Sequence, residues 1–139
     1  MKTVIKTNSL SKTYTNTAVP VEALKNINLE FTQGEFTAIV GPSGSGKTTF
    51  LNFIGGLDKP TRGNVVIDGI DIAEMKESKL FDFRLRHIGF VFQAYNLIPV
   101  LTAIENVSFI MLLQKQPKKE MEKRAKEMLE QVGLSDKLN

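Results

Sequence analysis

The sequence predicts an α/β fold in which a partial parallel sheet with helices carries an N-terminal antiparallel β portion and leads into a helical C-terminal portion. Three observations predict it. Residues 36–40, FTAIV, are a short apolar run without alternation, bounded by QG and GP, as in a strand buried on both faces of a parallel sheet. Residues 27–31, INLEF, alternate apolar and polar side chains, the period of a half-buried strand. From residue 102 onward the apolar residues recur at helical spacing.

The composition bounds what such a chain does. Its 139 residues suffice for one domain of ordinary size. Apolar content of 42% and charged content of 24% are those of a globular chain and exclude disordered or fibrous classes. The net charge of +3 is small and mixed along the sequence, so no nucleic-acid partner is expected. Cysteine is absent, which removes disulfides, thiolate metal sites and a cysteine nucleophile. The start, MKTVIKTNSL, has no apolar signal region, and FIMLL at 109–113 falls far short of the ~20 residues that cross a bilayer. Contact with a membrane is therefore expected to go through another protein.

The elements follow in order. TVIKTN near the start and INLEF read as antiparallel strands, and FTAIV as a buried one. After GPSGSGKTT, Leu51, Ile54 and Leu57 keep helical spacing until Gly55, Gly56 and DKPTRG end the helix. NVVIDGIDI predicts a hairpin turning at Asp68 and Gly69. A helix over 76–86 and a strand IGFVF at 88–92 come next. Thr102 and Glu105 have capping-box spacing and open the helix TAIENVSFIMLLQ. A last helix starts after Pro117, with Met121, Ala125, Met128, Leu129 and Val132 on one face. Glu120/Arg124 and Glu122/Lys126 pair on its solvated face, and Gly133 stops it.

Residues 41–49, GPSGSGKTT, carry the chemistry. Gly41, four residues, Gly46, Lys47 and Thr48 form the P-loop pattern, and it stands in the required context between a buried strand and a helix. A triphosphate needs many donors converging in a small space. Backbone amides supply them only where no side chain blocks the approach, hence glycine at 41, 44 and 46. A helix beginning near Gly46 adds unpaired amides and its positive dipole end. Lys47 offers a mobile charge to the β and γ phosphates, the Thr48 hydroxyl is placed to ligate Mg2+, and Thr49 offers a hydroxyl to the α phosphate. The bland alternative is a glycine-rich turn with Lys47 as a solvated charge, and the specificity of the motif disfavours it.

A P-loop serves several reactions, so other residues decide. TNSLSKTY at 7–14, VGPSGSGKTTFLNFIGGLDKPTRGNVVIDG at 40–69 and RHIGFVFQAYNLIPVLTAIENV at 86–107 together resemble the N-terminal half of the nucleotide-binding domain of ATP-binding cassette (ABC) transporters. The likeness is to the branch that serves lipoprotein release, macrolide export and antimicrobial-peptide resistance. It implies a P-loop core over 36–61 and 73–93, an antiparallel β subdomain over about 1–35 and 62–72, and the start of a helical subdomain over 94–139. ATP and Mg2+ are the implied cofactors, bound by Gly41, Ser43, Gly44, Ser45, Gly46, Lys47, Thr48 and Thr49.

The resemblance further implies that Tyr14 stacks on adenine and that Gln93 reaches the metal and attacking water. Lys47 and Gln93 are then the catalytic candidates, and Thr48 and Gln93 the metal ligands. By itself Tyr14 would read as a residue packing at a strand end, and Gln93 as a surface residue. The apolar loop AYNLIPVL, 94–101, would receive a membrane-spanning permease subunit, although covering the core is the simpler reading of its side chains. A second nucleotide-binding subunit would dimerise head to tail. The implied location is cytoplasmic, at the inner face of the cell membrane through the permease. His87, the sole histidine, precedes the IGFVF strand and is expected to be structural.

The sequence also departs from the pattern. It ends at GLSDKLN, just before the stretch where the family's signature begins, and no run of four apolar residues is followed by Asp-Glu. The expectation is a truncated piece of a longer cassette that binds nucleotide without efficient hydrolysis. Two other readings stand beside it. One is a small P-loop phosphotransferase, against which the NVVIDGIDI hairpin is out of place; the other is a noncatalytic nucleotide-binding module.

Overall fold

The computed structural model describes residues 1–16 and 18–136. The end of GLSDKLN, residues 137–139, lies outside them. The chain forms two compact units, Met1–Arg84 and Leu85–Asn139.

The first unit is built on a four-stranded antiparallel sheet in the order β2-β1-β3-β4, from β1 (Thr3–Tyr14), β2 (Val21–Thr32), β3 (Arg62–Ile67) and β4 (Ile70–Asp71). The hairpin turns at Asp68 (φ +48°) and Gly69 (φ +80°), two left-handed residues whose twist matches that of the flanking strands. The β1–β2 ladder shifts register between Thr7 and Leu10. Buried Thr7 repairs the break: its hydroxyl donates to the Ile27 carbonyl at 3.1 Å and accepts from the Leu29 amide at 2.9 Å.

Helix α1 (Lys47–Ile54) lies against this sheet through Phe50 and Phe53, and the Phe31 and Phe50 rings sit 6.3 Å apart. The buried face is therefore Phe50/Phe53, while Leu51 and Leu57 are each 49% exposed. Gly56 (φ +64°) ends the helix in a Schellman motif, with Leu57 donating to the Asn52 carbonyl and Gly56 to that of Phe53. A side chain on Gly56 would meet Leu80 Cδ1 at 3.1 Å. Leu80 belongs to α2 (Glu77–His87), which buries Leu80 and Phe83, and Arg84 donates to the Gly56 carbonyl.

Two expected strands are absent as strands. Neither 36–40 nor 88–92 joins a sheet, and Phe36, Val40 and Val91 are almost wholly exposed. The parallel part of the predicted sheet is therefore not formed among the described residues. An apolar run becomes a strand only where a neighbouring strand bonds at least one of its edges, and every strand that pairs here is antiparallel.

The second unit holds α3 (Ala103–Leu113) and α4 (Lys118–Gln131). The Thr102/Glu105 capping box is formed in both directions. Met111 packs from α3, and Met121, Ala125 and Leu129 from α4, whereas Met128 and Val132 of the predicted face are exposed. Gly133 (φ +74°) ends α4 in a second Schellman motif, with Leu134 donating to the Leu129 carbonyl. Among the described residues the ion pairs on α4 are Lys118–Glu122 and Lys123–Glu127, with lysine preceding glutamate, in place of the expected Glu120/Arg124 and Glu122/Lys126.

Candidate functional site

The loop 41–49 opens onto a surface cavity of about 560 Å3. Ser43, Gly44, Ser45, Gly46, Lys47, Thr48 and Thr49 form one wall, and Val21, Glu22 and Ala23 of β2 form the other. Gly46 caps α1 in the left-handed region, at φ +87°. A Cβ there would stand 2.5 Å from the Ala23 carbonyl oxygen, so only glycine lets the loop lie this close to β2. Gly44 is left-handed too, at φ +80°, but open space surrounds it on the cavity side of the loop.

The first-turn amides of α1 have no acceptor within the helix, and no side chain caps them. They leave a positive helix end beside four hydroxyls, those of Ser43, Ser45, Thr48 and Thr49. Lys47 bends back over the loop, where its Nζ donates to the Gly41 carbonyl at 2.8 Å and the Pro42 carbonyl at 2.7 Å and lies 3.4 Å from Ser45 Oγ. Gly41 joins the site through this contact. Its own Cβ position would collide with Ser45 Oγ at 2.8 Å. Donor amides, hydroxyls and one ammonium converging on an open cavity are suited to a multiply charged anion.

The sequence matches the ABC transporter family over residues 24–139. This chain belongs to the ABC transporter family. An ABC transporter ATP-binding protein of Thermotoga maritima is 48% identical to it over 139 residues, all of this chain and 59% of the relative. The lipoprotein-releasing system ATP-binding protein LolD of Bacteroides fragilis is 49% identical over 117 residues, 84% of this chain and 54% of that protein. A dimeric structure of the ATP-binding cassette MJ0796, from Methanocaldococcus jannaschii, bound to ADP and Pi, superposes with a TM-score of 0.87 at 44% identity. That match covers 96% of this chain and 59% of the other. This ABC chain thus spans 54–59% of the relatives named, corresponds to their N-terminal part, and has the expected mixed α/β class.

Outside the loop, the other expected residues of this ABC chain are placed as follows. Tyr14 ends β1 and pairs with Val21, which lines the cavity. Its hydroxyl donates to Asp58 Oδ2 at 3.2 Å. Gln93 is exposed and belongs to the second unit, in a bend after the IGFVF segment. In the loop 94–101, Tyr95, Leu97 and Val100 are 94%, 65% and 88% exposed, which sets aside the reading that all of these side chains cover a core. His87 ends α2 at the surface. No described helix is long and apolar enough to cross a membrane.

Three contributors escaped the sequence reading. Asn106 staples the apolar loop: its Oδ1 accepts from the Ile98 amide at 2.8 Å, and its Nδ2 donates to the carbonyls of Ile98, Leu101 and Thr102. Its place in the first turn of a capped helix was the available signal. Asp58 and Lys12 meet at Tyr14, 44 and 2 positions away in sequence, and no local pattern announces that encounter.

Proposed function

We propose that this chain binds MgATP through the loop 41–49 and forms the nucleotide-binding portion of the ATPase subunit of an ABC exporter. The observation that carries this reading is the Lys47 ammonium, held over the loop by the Gly41 and Pro42 carbonyls next to the uncapped start of α1. Lys47 would pair with the β and γ phosphates, loop and first-turn amides would bind their oxygens, and the Thr49 hydroxyl would serve the α phosphate.

Described side chains supply no cluster of three acidic, histidine or cysteine residues able to cage a metal. The Thr48 hydroxyl on the cavity wall fits a magnesium ion that arrives with the nucleotide and keeps phosphate oxygens and water as its other ligands. Bound there, the ion neutralises charge on the phosphates. Gln93 is the proposed second ligand and sensor of the γ phosphate, and Tyr14 the base-stacking residue. The proposed organisation is a P-loop core over 36–61 and 73–93, an antiparallel β subdomain over about 1–35 and 62–72, and the start of a helical subdomain over 94–139.

The exposed side chains of 94–101 are proposed to meet a membrane-spanning permease subunit. Head-to-tail pairing with a second nucleotide-binding subunit would drive transport at the inner face of the cell membrane. No run of four apolar residues in these 139 is followed by Asp-Glu, so by themselves they are proposed to bind nucleotide with slow turnover.

Fluorescent-ATP titration with magnesium tests the reading. Lys47→Ala removes a charge-assisted contact worth about 1.5–3 kcal/mol, so affinity is expected to fall roughly 10- to 150-fold. Unchanged affinity would overturn it, and phosphate transfer to a nucleoside monophosphate, seen by mass spectrometry, would assign a phosphotransferase instead.

A further inference from the structure

We infer that Asp58 and Lys12 form a positioning clamp that fixes the Tyr14 ring relative to the phosphate loop, so that one linked element sets the spacing between the base and phosphate ends of a bound nucleotide. The inference rests on the proposed base-stacking role of Tyr14. Asp58 follows the Schellman turn at Gly56 that ends α1, and α1 begins at the phosphate loop. The carboxylate is thereby carried on the same short rigid element as the phosphate-binding amides. Its Oδ2 accepts from the Tyr14 hydroxyl at 3.2 Å, and its Oδ1 accepts from Lys12 Nζ at 2.9 Å and from the Lys59 amide at 2.7 Å.

Lys12 closes the arrangement. Its ammonium also donates to the Lys59 carbonyl at 2.8 Å and lies 4.9 Å from the centroid of the Tyr14 ring and 5.5 Å from that of Phe53. The side chains of Lys12 and Asp58 are 14% and 30% exposed, so the pair is partly withdrawn from water, where such contacts are stronger than on an open surface. With a cation over one face of the ring, a base stacks on the opposite face. Backbone contacts hold the same register, since Thr61 donates to the Ser11 carbonyl at 2.9 Å and its hydroxyl accepts from the Thr13 amide at 3.1 Å. The segment 58–61 therefore runs along the end of β1. Val21, opposite Tyr14 on β2, is already part of the cavity wall.

A clamp that serves only the fold and one that positions the base differ in what they do to a ligand without a base. ATP and inorganic tripolyphosphate, each with magnesium, are titrated against the wild-type chain, Tyr14→Phe, Asp58→Ala, the double variant and Tyr14→Ala. Tyr14→Phe keeps a stacking ring and removes only the tether. It is expected to weaken ATP about fivefold, the equivalent of one hydrogen bond of about 1 kcal/mol, while tripolyphosphate affinity stays unchanged. Asp58→Ala is expected to show the same split, and the double variant no further loss, because both act through one link. Should Asp58→Ala not fold, Tyr14→Phe decides alone.

Tyr14→Ala removes the stack and is expected to cost ATP at least about fivefold. If Tyr14→Ala weakens ATP while Tyr14→Phe matches wild type, the clamp is overturned and the stacking role survives. If Tyr14→Ala leaves ATP affinity unchanged, the stacking role fails and the clamp fails with it. Equal losses of ATP and tripolyphosphate in Tyr14→Phe would assign the link to the fold alone and overturn the positioning role.

Discussion

Replacing Gly46 by alanine, with Gly44→Ala as its partner measurement, separates two reasons for glycine in the loop 41–49. Both residues are left-handed, at φ +87° and φ +80°, so both substitutions carry the conformational cost of about 1–2 kcal/mol for an L side chain there. They differ in surroundings. The new methyl at 44 meets nothing within 4 Å, while the one at 46 lies 2.5 Å from the Ala23 carbonyl oxygen and 2.9 Å from Leu24 Cδ2. Leu24 is buried and Ala23 sits in the β2 ladder, so neither yields cheaply. Overpacking of this kind adds about 1–3 kcal/mol. Gly44→Ala is thus expected to lower unfolding free energy by about 1–2 kcal/mol and Gly46→Ala by about 2–5 kcal/mol. Urea denaturation followed by circular dichroism reads both, the loss appearing as a lower midpoint at constant slope. Values for the two variants within about 0.5 kcal/mol of one another would refute the argument, since the contact with β2 would then contribute nothing.

Three further outcomes are expected. Burial pushes the Asp58 carboxyl up, but hydrogen bonds from Lys12, the Lys59 amide and Tyr14 outweigh it and hold the group below its ordinary value of 3.8. Between those two values the unfolded chain binds the proton and the folded chain does not. Stability therefore rises with pH there, is full above the ordinary value, and is lost as pH falls through the depressed one. Lys12→Met should flatten this acid limb in thermal unfolding, and an equally steep limb would count against it. Thr7→Val keeps shape but strands the Leu29 amide and Ile27 carbonyl, so a loss of about 1–3 kcal/mol is expected in urea, and wild-type stability would contradict the role given to the hydroxyl. Lys115 stands at φ +59° in the Schellman turn that ends α3, so Lys115→Gly should gain about 0.5–1 kcal/mol in the same assay; a loss would show the strain to be absent.

What the sequence determined by itself is what a few neighbouring residues decide among themselves. The Asp68-Gly69 hairpin, the Thr102/Glu105 box, the stop at Gly133 and the glycine-rich turn that leads into α1 each follow from local steric freedom and local hydrogen bonds, and each is legible in the sequence. Tertiary structure decided what requires a distant partner. FTAIV has the composition of a buried strand yet stays unpaired, because a strand needs neighbours that its own residues cannot supply. The packed face of α1 went to Phe50, which meets Phe31 of β2, and to Phe53, which meets Lys12 of β1, a choice invisible in helical spacing alone. Likewise the second wall of the cavity, Val21 to Ala23, and the meeting of Tyr14 with Asp58 arise from strand register and from the path of the chain after α1. Periodicity and motif record the preference of each segment, but only packing brings together groups far apart along the chain, since the contacts that hold them there form only on folding.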